Sequence, residues 1–219
     1  MTVKIKAPRL PQTLALVEDI GPIWQEAAYN DGEISGYHFK NLDLSGYDFT
    51  GMRFSMVLLE NCRLVGAFLD KASFLDVVFK HCDLSNVSLN EGYFNRCSWQ
   101  ACKWLGAGFL EARLQQLTVE ACNLQYANFD EASLSDVAIT ESDCSQAVFS
   151  SCQLKNFQTR DCRFWGVNFF RTALRGIDFS EDELEGITVS EQAGELQGMV
   201  VNVQQAAELA KLLGIVIKA

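Results

Sequence analysis

An apolar residue returns at every fifth position from Ile34 to about Val189, and the phase never slips. Between Phe39 and Leu184 there are thirty such central positions, of which twelve are Phe, twelve are Leu and two are Trp (Trp99 and Trp104). Val119, Ile139, Cys144 and Thr159 fill the rest. Two residues before each centre stands a second favoured class, small and mostly apolar, with seven Ala and seven Cys among the thirty. Segments 82–86 (CDLSN), 127–131 (ANFDE) and 132–136 (ASLSD) show the unit whole. A period of five matches neither the 3.6-residue turn of a helix nor the alternation of a flat strand. A unit this short cannot bury its own apolar positions, whereas stacked copies bury a continuous core, so the period predicts a solenoid.

Tandem A/C-D/N-L/F-X-X units resemble those of the pentapeptide-repeat proteins, and thirty consecutive matches make the resemblance specific. It implies an all-β solenoid, a right-handed quadrilateral β-helix in which each pentapeptide forms one side and four form a coil of twenty residues. Residues 1–33 then read as an N-terminal arm and helical cap, 34–189 as the β-helix, and 190–219 as a C-terminal strand-helix-strand cap and dimerisation element. With coils about 4.8 Å apart, roughly seven and a half of them make a rod of roughly 36 Å.

At 219 residues with 48% hydrophobic side chains, one domain with a continuous core is expected. No apolar run is long enough for a membrane helix, and the opening MTVKIKAPRLPQ lacks the apolar stretch of a signal peptide, so the expected location is cytoplasmic. Eight cysteines invite a disulfide or metal reading, but the register argues otherwise. Cys62, Cys82, Cys97, Cys102, Cys122, Cys152 and Cys162 fall two before a centre and Cys144 is a centre, so all are expected reduced and buried as small hydrophobes. His38 and His81 fall at outward positions and read as solvated surface residues. With no phosphate-binding glycine loop and no G-x-S-x-G, the chain is expected to be no enzyme and to carry no cofactor or metal.

The ends read differently. Lys4, Lys6 and Arg9, with Pro8 and Pro11, suggest an extended, frayed arm. Residues 13–20 and 22–28 read as two short helices, the second opened by Pro22, with Leu14, Val17, Ile20, Ile23 and Trp24 covering the open end of the first coil. Within the repeats, Thr159 is a polar centre, Phe157 is large where a small residue is usual, and Asp182 occupies a buried position. An unpaired buried carboxylate is costly, so the coil is expected to loosen near Asp182. Beyond it, 198–201 and 215–217 read as strands flanking a helix over 202–213, with Asn202 as N-cap and Gly214 as its stop.

That last helix, and the segment 93–114, are similar to the quinolone-resistance (Qnr-type) subfamily, whose C-terminal element dimerises. Apolar residues from Val203 to Leu213 wrap too far round the helix to be covered by one narrow tube. Ala206, Leu209, Ala210, Leu212, Leu213 and Ile215 are therefore the candidate homodimer contacts, the alternative being a helix that caps its own coil.

Sorting charge by side of a twenty-residue coil separates an acidic side from a basic one. Asp48, Asp70, Glu91, Glu111, Asp130 and Glu131 lie on the first, with Glu181, Glu183 and Glu185 adjoining the presumed dimer junction. Arg53, Arg96, Arg113, Lys155 and Arg175 mark the second. The subfamily resemblance implies a DNA mimic that binds a type II topoisomerase, DNA gyrase or topoisomerase IV, and protects it from fluoroquinolones, with no direct contact to nucleic acid or membrane. The sequence departs from several members in having no loop that interrupts the period. The alternative is a non-enzymatic interaction scaffold with another partner.

Overall fold

The computed structural model describes residues 4–30 and 32–218 and shows a parallel β-solenoid of about eight turns. β1 (Ala15–Val17) and α1 (Gly21–Tyr29) lead into β2 (Glu33–Ser35) and β3 (Tyr37–Lys40). Six strands then recur at intervals of twenty: β4 (Arg53–Glu60), β5 (Ser73–Lys80), β6 (Tyr93–Gln100), β7 (Arg113–Glu120), β8 (Ser133–Thr140) and β9 (Gln153–Arg160). Together they make one parallel sheet in the order β1-β3-β4-β5-β6-β7-β8-β9, with β2 also paired to β4. Each strand bends over two sides of the tube. The other two sides are joined by single parallel bridges at the same offset, such as Asp83↔Lys103 and Ser88↔Gly108.

Corners fall two residues after each centre, and their backbone is left-handed at all of them but Glu181. Gly46, Gly66 and Gly106 have φ of 72°, 64° and 65°, but Glu91, Ala101 and Glu111 take 56°, 50° and 57° at equivalent corners. A turn bond closes several of them, as from Ala107 N–H to Trp104 O at 3.1 Å. Gly and Asn suit such a position, whereas a residue with a larger side chain adopts it at a cost of about 1 kcal/mol.

Inside, 28 of the thirty centres are buried, the exceptions being Leu154 and Thr159. Like stacks on like: Phe54, Phe74 and Phe94 are separated by 5.1 and 4.6 Å, and Phe109, Phe129 and Phe149 by 4.6 and 4.7 Å. All eight cysteines are free and buried, and burial pushes the Cys97 and Cys152 thiols up to about 12. Several belong to a column in which a side chain accepts the N–H one coil before it. Cys82 N–H reaches Cys102 Sγ at 3.4 Å, Cys102 N–H reaches Cys122 Sγ at 3.4 Å, and Cys122 N–H reaches Ser142 Oγ at 3.0 Å.

Asp182 continues that column, so the loosening expected in the run around it is absent at 182–185, and the departure from regular pairing falls just before it, over 173–180. Its Oδ1 accepts Cys162 N–H at 2.8 Å and the Thr159 hydroxyl at 3.3 Å. Register holds through this point, because β10 (Arg163–Trp165) pairs with β11 (Glu183–Glu185) at the same twenty-residue offset. The carboxylate is tolerated because it replaces a thiol as acceptor; its Oδ2 has no partner, and burial raises its pKa to about 6.

At the N-terminus, residues 13–20 form no helix. Ala15–Val17 pairs with Tyr37–Phe39 instead, satisfying the open edge of β3, which so short a helix would leave bare. Val17 and Ile20 are buried as expected, and α1 carries Pro22 in its first turn. Nor is the described part of the arm frayed: Arg9 N–H donates to Asp76 Oδ1 at 2.9 Å and Lys6 N–H to Gln116 Oε1 at 2.7 Å. It straps the outside of the tube across two coils, a span of about 10 Å that three extended residues cover. Residues 1–3 of that arm lie outside the described residues.

At the other end, neither 198–201 nor 215–217 is a strand; Val200 makes one bridge, to Asp178, and 215–217 has no strand beside it. α2 (Val203–Leu212) is as expected, with a capping box in which Asn202 Oδ1 accepts Gln205 N–H at 3.0 Å and Gln205 Oε1 accepts Asn202 N–H at 2.8 Å. Gln205 Nε2 also donates to Phe179 O at 2.8 Å and Asp182 O at 2.7 Å, fastening the helix to the last coil.

One interruption breaks the ladder. Among the described residues, no parallel bridge joins β9 to 173–180, although the other two sides of the same coils pair onward, as from Phe169 N–H to Thr188 O. Residues 174–179 pair instead with 195–200, for example through Leu174 N–H to Glu195 O at 3.0 Å.

Candidate partner-binding surfaces

The acidic residues resolve into an edge, a set of local turns and a cluster. Glu91, Glu111 and Glu131 occupy consecutive corners of one edge of the rod, exposed and one coil apart. Lys71, one corner earlier, approaches Glu91 at 3.5 Å. Carboxylates stacked at about 4.8 Å repel one another, and only water and salt make such a column affordable in the free protein. A cationic partner relieves that repulsion.

Asp48, Asp70 and Asp130 are more tied down. Thr50 holds the Asp48 carboxyl below the ordinary aspartate range, through its side-chain hydroxyl first and then through its N–H, which Asp48 accepts at 2.9 Å. Asp70 accepts the Ser88 hydroxyl at 2.5 Å and Asn90 N–H at 2.9 Å, and Asp130 accepts the Ser150 hydroxyl. These three stiffen corners while adding negative field. Glu181, Glu183 and Glu185 are exposed near α2, with Glu183 bound to Arg163 Nε at 3.1 Å.

The basic side is less cationic than a count of its residues suggests. Arg96 grips Asp76 with two bonds of 2.7 Å, leaving Arg53 and Arg113 as its exposed cations in the first coils. Residue spacing within one coil did not reveal that pairing, because the partners are twenty apart. His38 departs from the solvated reading: its Nε2 lies 3.0 Å from Glu60 Oε2 and it is half-buried.

Of the candidate dimer contacts, Leu209 and Ala210 are half-buried, with Leu209 packed against the chain's own core. Ala206 is exposed, and Leu212, Leu213 and Ile215 are 42, 58 and 52% exposed. The helix therefore caps its own coil with one face and leaves an apolar strip on another. Among the described residues, no cluster of three His, Cys, Asp or Glu is placed to hold a metal, and no helix is long and apolar enough to cross a membrane.

A family model described as "Pentapeptide repeat region" matches residues 72–143 and 119–189. No curated protein matches the chain. Among solved structures, the chain is similar to a trypsin-treated form of QnrB1, a plasmid-mediated fluoroquinolone resistance protein, at 16% identity over 85% of this chain and 100% of that one, with a TM-score of 0.32. It is similar also to HetL, a pentapeptide repeat protein involved in heterocyst differentiation regulation from the cyanobacterium Nostoc sp., at 13% identity over 85% and 95% of the two chains, TM-score 0.25. A pentapeptide repeat protein of the Arabidopsis thaliana thylakoid lumen matches at 20% identity over 80% and 90%, TM-score 0.29.

Proposed function

The chain belongs to the pentapeptide repeat family, and on that footing we propose that it presents the charge of duplex DNA to a type II topoisomerase, DNA gyrase or topoisomerase IV, and protects that enzyme from fluoroquinolones. The observation that carries this reading is the edge formed by Glu91, Glu111 and Glu131. Duplex DNA offers one negative charge per roughly 1.7 Å of axis, and a protein groove that binds it gains affinity by releasing counterions. A rigid rod with carboxylates at a fixed coil spacing, on a chain of net charge −10, releases counterions from the same groove. Segments 93–114 and 203–214, similar to the quinolone-resistance subfamily, support the choice of enzyme. A homodimer through the strip around Leu212 and Leu213 doubles the charged length.

A gyrase supercoiling assay with and without ciprofloxacin tests the proposal. Added protein restores supercoiling in the presence of drug, and its binding to gyrase weakens with salt and is displaced by linear duplex. Inhibition of supercoiling with no rescue from the drug would leave binding without protection. No binding at all would end the mimic reading.

A further inference from the structure

The N-terminal strap carries charge as well as hydrogen bonds. Its main chain does the holding, through Arg9 N–H to Asp76 Oδ1 and Lys6 N–H to Gln116 Oε1. The side chains of Lys4, Lys6 and Arg9 are therefore left exposed on one edge of the rod, while Ile5, Pro8 and Leu10 are half-buried. Arg53, Arg113 and Lys155 are exposed on the side of the tube that adjoins this edge. None of these six cations has an ion-pair partner among the described residues.

The acids of the same strip are already engaged. Asp76 accepts two Arg96 bonds of 2.7 Å as well as the Arg9 N–H, and its side chain is only 7% exposed. Asp136 accepts Gln116 Nε2 at 2.7 Å and Asn156 Nδ2 at 2.8 Å. Glu33, in register with Arg53, stands at the N-terminal limit of the strip. From Arg53 to Lys155 is about five coils, or roughly 24 Å along the axis. The arm thus turns a side with few free cations into a file of six, on a chain whose net charge is −10.

We propose that this file binds the phosphate backbone of a nucleic acid duplex. One strand of a duplex carries a phosphate every ~3.4 Å, about seven over that length, and unpaired Lys and Arg bind them by releasing counterions. A single strand is held largely by stacking on aromatic rings, and the exposed aromatics of the rod, Phe68, Tyr126, Trp165 and Phe170, lie on its other sides. A bilayer surface is gripped by apolar side chains beside the cations, whereas those of the arm are half-buried against the protein. A side of the tube separates the file from the glutamate edge, a distance comparable with the Debye length of about 10 Å at 0.1 M salt, so salt damps the repulsion from that edge. The surface depends on neither the glutamate edge nor the choice of enzyme. It departs from the expectation of no contact with nucleic acid, because the place where the arm lands is not visible in the sequence.

Fluorescence anisotropy of a fluorescein-labelled DNA duplex titrated with the full chain, at about 0.1 M salt and above, tests the proposal. Binding is expected to be saturable, with log affinity falling against log salt at a slope of about −4, as four or five phosphates are neutralised. Lys4→Gln with Lys6→Gln and Arg9→Gln removes three charges and keeps the main-chain bonds of the strap. That variant is expected to bind at least tenfold more weakly, with a slope shallower by about two to three and an unchanged melting transition. Arg53→Glu with Arg113→Glu leaves the strap untouched and also weakens duplex binding at least tenfold. Reversing Glu91, Glu111 and Glu131 to Lys keeps or strengthens duplex binding while removing affinity for the enzyme, so the two readings fail separately. No saturable binding, an unchanged slope in the arm variant, or equal affinity for phosphatidylserine vesicles or poly-glutamate would each overturn the proposal.

Discussion

Asp182 shows how a single residue can keep a repeat in register and still tax it. Burial raises its carboxyl to about 6, above the value it has in an unfolded chain. A carboxyl so shifted binds its proton more tightly in the folded state, so its penalty is fully present above about pH 6 and is relieved as pH falls toward 4. Asp182→Ser copies Ser142, whose hydroxyl accepts Cys122 N–H and donates to Thr140 O at 2.7 Å. The substitution is expected to stabilise the C-terminal coils by about 1–3 kcal/mol at pH 7 and by nearly nothing at pH 4. Thermal melts at the two pH values decide it; equal gains at both would clear the charge of blame. The sequence marked Asp182 as anomalous through its register, but the remedy was not legible there, since the N–H it accepts belongs to Cys162, twenty residues away. Corner geometry was legible in part: Gly and Asn recur two after the centres, yet Glu91, Glu111 and Glu131 take the same left-handed backbone because the coil imposes it.

Among elements, α2 was readable from local signals and the segments beside it were not. Asn202, Gln205 and Gly214 mark a helix whatever surrounds it, with Gly214 at φ 74° just beyond the end. Apolar runs at 198–201 and 215–217 suggested strands, but a strand exists only where a partner edge is free, and sequence does not locate that edge. The same limit hid the pairing of Ala15–Val17 with β3. Because Gln205 and Leu209 already fasten α2 to its own coil, the residues that test dimerisation are Leu212 and Leu213. Leu212→Asp with Leu213→Asp is expected to give a monomer whose repeats stay folded, since association would have to strip water from two charges on each side. Sedimentation velocity reads the mass and circular dichroism the fold. A variant that remains dimeric, or a wild type that is monomeric, removes the apolar strip as an interface.

For the whole molecule, the rod was legible because each turn repeats the last, and what escaped was what joins distant turns: the strap from Lys6 to Gln116 and the Asp76–Arg96 pair. The functional prediction rests on the part that was legible. Reversing Glu91, Glu111 and Glu131 to Lys changes six units of charge per chain, taking the formal net charge from −10 to −4. The fold is expected to survive, because the three corners are exposed and already hold a long side chain in left-handed backbone, so exchange for another adds no new strain. Gyrase binding is expected to fall at least a hundredfold, with a shallower dependence on salt, because fewer counterions are released on contact. Arg53→Glu with Arg113→Glu is the better control than any change at Arg96, whose partner Asp76 is only 7% exposed in its side chain and would be stranded. That control adds negative charge on the adjacent side, so its long-range attraction to a basic groove strengthens binding slightly or leaves it as it was. Equal binding by the two variants would mean that neither side meets the enzyme. Loss in both would mean that fold, and not charge, had been measured, which a melting curve on each variant separates.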